Sequence, residues 1–212
     1  MDVSSISHFE RLIQFHLFHF HSRPRITVTG YGVSAAAVTF VPPASDLNST
    51  ELGTVYPFAD FVGGTTDVYN NVITIHVNDQ PVDVIVFLDG YCTRTGDDAS
   101  SVTGYCHYTW SFMDPENPGE CIGAFSGQGV LPHAGPVEED RHGSITVTGG
   151  NGLFTAVAGV VEVDPAVFDF NEDPPIVGSL PEGEDIFDAV DGYLHSFVLE
   201  ADAEFFVLTA AE

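Results

Sequence analysis

Apolar and polar residues alternate along much of this chain with a period of two, the spacing that turns one face of a β-strand to a core and the other to water. Tyr105–Phe112 is the clearest case: Cys106, Tyr108, Trp110 and Phe112 fall on one side, and Tyr105, His107, Thr109 and Ser111 on the other. Further β-rich runs are Ile26–Thr29, Ala36–Val41, Thr54–Phe61, Asn71–Val77, Val82–Leu88, Cys121–Val130, Ser144–Thr148, Phe154–Val163, Tyr193–Glu200 and Ala203–Thr209. Turn chemistry separates them: Pro42-Pro43, Gly63-Gly64, Asn78-Asp79-Gln80-Pro81, Pro115 and Pro118, and Ala201-Asp202. About ten short strands and no long amphipathic helix predict an all-β fold, a closed barrel or a sandwich. Closure is favoured because it leaves no strand edge to aggregate.

Gly143–Val163 reads as strand, turn, strand. Its tetrad Gly149-Gly150-Asn151-Gly152 lies between two β-branched runs. Glycine and asparagine accept the positive φ that a tight reversal needs, so the tetrad is expected to be a turn. A phosphate cradle would need a helix opening right after it, and β-branched residues follow instead.

Composition sets further limits. The chain has 212 residues, 44% of them hydrophobic and 12% aromatic, enough for one sizeable core. No apolar run approaches the length of a membrane span. The formal net charge is −26, from 31 acids against 5 arginines and no lysine. Such a surface repels a phosphate backbone, which excludes nucleic acid as a partner class. Three readings of the acidity stand: adaptation to high salt, a solvated extracellular surface, and divalent-cation sites. Asp164–Asp191, with nine acids and four prolines, reads as a long acidic surface loop near the C-terminus.

Residues 1–25 read as a leader or mobile tail, and 26–212 as a single domain. The first 25 hold three of the arginines and four of the nine histidines, with a short apolar run behind Arg11. That suits an imperfect signal peptide with Ser34-Ala35-Ala36-Ala37 as the processing region, or a mobile leader. His16 and His19 would share a helical face, but no Cys, Asp or Glu close in sequence completes a metal site. Asn48-Ser49-Thr50 fits a glycosylation acceptor, relevant only in a secreted chain. Cys92, Cys106 and Cys121 cannot all pair within one chain. A Cys92–Cys106 disulfide would suit secretion, and three buried thiols would suit a reducing compartment.

Three stretches, in order, resemble the superfamily of allene oxide cyclases and dirigent proteins. Leu52–Asp60, LGTVYPFAD, resembles the cyclase segment that leads into the barrel. Gly90-Tyr91-Cys92 resembles the Gly-x-Cys that follows it, and Gly149–Gly159, GGNGLFTAVAG, resembles the glycine-rich hallmark of both branches. Asn151 stands there in place of the usual Thr or Ser. The resemblance covers roughly residues 50–165. It implies a closed antiparallel eight-stranded barrel, lipocalin-like in shape and commonly a homotrimer, whose lumen binds a hydrophobic small molecule without a cofactor.

Its implied chemistry transfers residue by residue. Pro57 and Phe58 match the cyclase segment, Cys92 matches the barrel cysteine, and Asp60 stands where the cyclases carry Asn. The cyclase glutamate belongs to a Glu-x-Asn pattern before residue 50. Glu10 and Glu51 are the nearby glutamates, and neither has that context. Asp60 corresponds to an acid at the dirigent pocket mouth, where desolvation would raise its pKa and suit it to proton transfer. The competing reading of Asp60 is a solvated surface acid. Tyr108 and Trp110 are expected in the core or lumen wall, and His107 on the solvent side or in a polar lumen. The expected function is a secreted barrel that binds an apolar or aromatic molecule. It would steer cyclisation as an isomerase, or stereochemical coupling beside an external oxidase. The alternative is a non-catalytic secreted binding or surface protein adapted to salt or binding divalent cations.

Overall fold

A computed structural model describes residues 25–35, 55–67, 70–95, 103–132, 143–178 and 192–202. These residues form ten strands and no helix: β1 (Arg25–Ala35), β2 (Val55–Gly63), β3 (Val72–Val77), β4 (Gln80–Arg94), β5 (Thr103–Met113), β6 (Cys121–Pro132), β7 (Gly143–Gly152), β8 (Ala158–Asp169), β9 (Ile176–Gly178) and β10 (Gly192–Asp202). Most of the 1–25 leader lies outside the described residues, as do Ala36–Val41, Asn48-Ser49-Thr50, Leu52-Gly53 and Ala203–Thr209.

Every pairing is antiparallel, and the order β10-β1-β2-β4-β5-β6-β7-β8 is closed by β8 pairing back onto β10. β2 and β3 occupy one position between them. β2 pairs with Val86–Thr93 of β4, and β3 with Gln80–Ile85 of the same strand. Both also touch β1, β2 through Val33 and Ser34 and β3 through Val28 and Thr29. Counting that shared position once gives the eight-stranded barrel that the family resemblance implied. Closure comes from the long β1–β10 and β8–β10 ladders, which leave the edge backbone groups of these strands paired.

The period-two pattern explains which residues face inward. Buried and part-exposed residues alternate along β5, with Cys106, Tyr108, Trp110 and Phe112 all buried. β3 and β4 meet in a two-residue hairpin at Asn78 and Asp79, both at positive φ (49° and 63°). Gln80 and Pro81, expected in that turn, belong to β4.

Five further expectations need correction. The tetrad Gly149–Gly152 is not the reversal: it continues β7 and pairs with β6 from Gly123 to Ser126. The turn comes after it, at Leu153–Val157, where Phe154, Thr155 and Val157 donate backbone hydrogen bonds to Asn151, Gly152 and Phe154. Phe154–Val157 is therefore turn rather than strand, and Phe154 is fully buried. Two glycines make this packing possible. A Cβ on Gly150 would lie 2.6 Å from the Phe154 carbonyl oxygen, and Gly152 sits at φ +55° with its Cβ position 2.5 Å from the Ile122 carbonyl oxygen.

The acidic stretch is likewise not one loop. Asp164–Asp169 completes β8, and Ile176–Gly178 returns as β9 against Val167–Asp169. Ala166 and Phe168 are buried with Val33, and Val177 and Leu194 pack beside them as a small second core. Apolar residues at alternate positions outweigh the flanking acids. Residues 179–191 lie outside the description. Ser34 and Ala35, read as part of a processing region, end β1 and pair with Tyr193 and Gly192. A cut there would remove a barrel strand. Ala201 and Asp202, expected as a turn, are the buried end of β10.

Candidate functional site

An aromatic column runs through the barrel. Tyr108 stacks on Trp110 with ring centroids 5.3 Å apart, and Trp110 stacks on Phe125 at 4.8 Å. Phe112, Phe125, Phe154 and Phe197 complete it, with centroid separations from 4.5 Å for Phe112–Phe154 to 6.0 Å for Phe112–Phe197. β5 supplies Tyr108, Trp110 and Phe112 at successive inward positions. β6 supplies Phe125 opposite Trp110, and the 153–157 turn supplies Phe154.

The column changes character along its length. Around Phe154 it is hydrocarbon. Around Tyr108 it becomes polar, because β10 turns Tyr193 and His195 inward and β1 brings Ser34 beside them. Ser34 Oγ lies 2.9 Å from His195 Nε2 in a buried contact. The His195 ring meets Tyr108 and Trp110 edge-on, at centroid distances of 6.1 and 6.0 Å. Cys92 and Cys106 face each other across β4 and β5, their sulfurs bonded at 2.01 Å. The Tyr108 hydroxyl oxygen stands 4.0 Å from Cys92 Sγ.

Two buried polar atoms here have no hydrogen-bond partner among the described residues: Trp110 Nε1 and His195 Nδ1. Trp110 is 0% and His195 1% exposed, so bulk water does not reach them in this state. An unmet buried donor or acceptor costs about 1–3 kcal/mol, and native interiors seldom carry one without a reason. Both lie at the polar end of the column.

Desolvation sets the protonation of this region. It lowers the His195 pKa to about 3, so the imidazole is neutral at neutral pH. It raises Tyr193 to about 12 and pushes Tyr108 up further, with the nearby Tyr193 adding to that rise. Both phenols are protonated at neutral pH. The Ser34–His195 contact resembles half of a nucleophile–base pair. Desolvation makes the imidazole a weak base, and its Nδ1 has no acid partner among the described residues, so the contact lacks two features of an activated nucleophile–base pair. The arrangement is suited to holding a neutral molecule.

The predicted site residues divide in two. Cys92, Tyr108 and Trp110 come together at the polar end. Pro57, Phe58 and Asp60 lie on β2, their backbones paired with Tyr91, Gly90 and Leu88 of β4. His107 is on the outer face, stacked on exposed Tyr91 at 4.8 Å. Sequence reasoning missed Ser34 and His195. The signal for His195 was present, since Tyr193, His195, Phe197 and Leu199 alternate along a predicted strand. Ser34 carried no comparable signal, because its strand was read as ending at Thr29. No group of three or more His, Cys, Asp or Glu side chains converges on a metal site among the described residues. No helix among them is long and apolar enough to cross a membrane.

No protein-family model matches the chain, and no curated protein matches it significantly. Solved structures do align with it. One pterocarpan synthase dirigent protein is similar with a TM-score of 0.47 and 13% identity over 84% of this chain and 90% of its own. A second pterocarpan synthase dirigent protein has a TM-score of 0.46 and 15% identity, over 85% of this chain and 94% of its own. By its own strand order and closure, the chain is a closed antiparallel eight-stranded barrel.

Proposed function

We propose that this barrel binds a hydrophobic small molecule at the polar end of its interior and steers that molecule's reaction, by cyclisation or by stereochemical coupling. The observation that carries the reading is the aromatic column ending in Tyr108, Trp110, Tyr193 and His195. Flat rings offer an aromatic guest faces to stack on, and a few converging polar groups set its orientation. In the coupling version, an external oxidase generates the radical and the barrel supplies only the chiral surface. Asp60, opposite Leu88 in the β2–β4 register, is the acid proposed to move a proton. Pro57 and Phe58 are proposed as lining.

The reading includes an extracellular setting and a homotrimeric assembly. The buried Cys92–Cys106 disulfide supports the first, since such bonds persist in oxidising compartments. Coupling of simple phenols by a laccase, with and without the protein, tests the function. A shift from racemic to enantiomerically enriched product is expected, together with its loss in Asp60→Asn. Racemic product across a panel of phenols would remove the coupling version.

A further inference from the structure

We propose that Trp110 Nε1 and His195 Nδ1 form a subsite for one neutral oxygen, a hydroxyl or a carbonyl, of an otherwise apolar aromatic ligand. The inference rests on the lumen-binding reading above and names the chemistry it selects. These two buried atoms lack a partner among the described residues, and they belong to rings whose centroids are 6.0 Å apart on facing strands. An indole N–H can only donate, so its partner must accept.

His195 is more versatile. Its Nε2 contacts Ser34 Oγ, and a serine hydroxyl can donate or accept. When the hydroxyl donates to Nε2, Nδ1 carries the proton and both ring nitrogens of the subsite donate, which fits a carbonyl oxygen. When Nε2 donates to Ser34, Nδ1 accepts, which fits a hydroxyl that takes the indole proton and gives its own. Ser34 thus acts as a positioning residue that lets one subsite hold either oxygen.

The surroundings argue against a charged ligand. The buried polar or charged residues among those described are Ser34, His195 and Asp202, so no buried cation awaits a carboxylate. Desolvation keeps the imidazole uncharged, and the net charge of −26 disfavours approach of an anion. The Tyr108 and Tyr193 hydroxyls close by are protonated phenols.

Trp110 is the only tryptophan in the chain, so its indole N–H gives a single resolved NMR signal. The test titrates the full chain with four probes sharing one skeleton: cinnamyl alcohol, cinnamaldehyde, cinnamate and trans-β-methylstyrene. Calorimetry gives each affinity, and the indole signal reports on Nε1. The alcohol and the aldehyde are expected to bind roughly tenfold more tightly than the hydrocarbon and the carboxylate, the fold-change one hydrogen bond supplies. Both should also move the indole proton downfield. His195→Phe should erase the preference for oxygen while keeping binding of the hydrocarbon. If that variant fails to fold, the indole shift in the unmodified chain still decides. Equal binding of all four probes, or binding that leaves the indole signal in place because an internal water alone occupies the subsite, would overturn the proposal. Failure of every probe to bind would instead remove the lumen-binding reading itself.

Discussion

The two ends of the barrel interior are built from the same strands and do different things. At one end Phe112, Phe125, Phe154 and Phe197 pack ring on ring, buried by at least 95%, with hydrocarbon facing hydrocarbon. At the other, strands β1, β5 and β10 contribute Ser34, Tyr108, Trp110, Tyr193 and His195, two of whose nitrogens are unmatched among the described residues. Moving two residues along β5, from Trp110 to Phe112, crosses from one regime to the other. A well-packed hydrocarbon end contributes stability that the polar end spends on unmet groups and a desolvated imidazole. Stability and function are thereby separated along one axis, and substitutions at the two ends should have different signatures.

The largest effect is expected at the hydrocarbon end. Phe154→Ala would empty the plug beneath Gly150 and cost about 3–5 kcal/mol, read as a lowered urea midpoint with unchanged slope. A loss under about 1 kcal/mol would mean that the 153–157 turn is not seated in the barrel. Next in size is the Cys92–Cys106 bond. Its loop spans a sequence separation of 14, for which chain entropy gives about 3 kcal/mol. Replacing both cysteines by alanine should cost that order. Adding reductant to the double variant should then do nothing further; a reductant response would implicate Cys121 instead.

How much of this contrast could be read from the sequence follows from what determines each part. The inward face of β5 was legible in full, because four apolar residues at period two leave one burial pattern. The glycine-rich tetrad was legible as a landmark but not as a conformation. Glycine is compatible with a turn, and equally with a strand that another backbone approaches closely, and Gly150 belongs to the second case. The acidic stretch misled because composition averages over alternation: Ala166 and Phe168 are buried while their neighbours are not. The polar end was half legible. Tyr108 and Trp110 announced themselves, whereas Ser34 and His195 gain meaning only from the β1–β10 register that pairs two ends of the sequence.

At the polar end the distinguishing signature is pH dependence. In the unfolded chain His195 takes a proton near its ordinary pKa of 6.5, while the folded chain resists until about 3. Between those values the unfolded state binds one more proton, so stability falls as pH falls, by about 1.4 kcal/mol per pH unit from this group. The many carboxylates titrate in the same range, so the measurement is a difference. Against His195→Phe, the unmodified chain should lose roughly that much more per unit between pH 6 and 4. Parallel pH profiles would show that the imidazole reaches water, and the contrast between the two ends would collapse. Phe154→Ala, by comparison, should shift the profile without tilting it.

The smallest expected effect concerns the residue where the glycine-rich hallmark departs from its usual Thr or Ser. Asn151 Oδ1 accepts a hydrogen bond from the Ala124 backbone N–H at 3.0 Å, on the exposed side of the β6–β7 ladder. The side chain thus meets a backbone donor beside the glycines that admit Phe154. Because the bond is solvent-accessible, water replaces much of it, and Asn151→Ala should cost only ~0.5–1 kcal/mol. Asn151→Asp keeps an acceptor in the same place and should recover most of that loss. Asn151→Ala should leave the pH slope unaltered, since it neither adds nor removes a titrating group. A loss above about 2 kcal/mol in Asn151→Ala would show that the 153–157 turn depends on this bond, and that the plug is held from outside the barrel as well as by its rings.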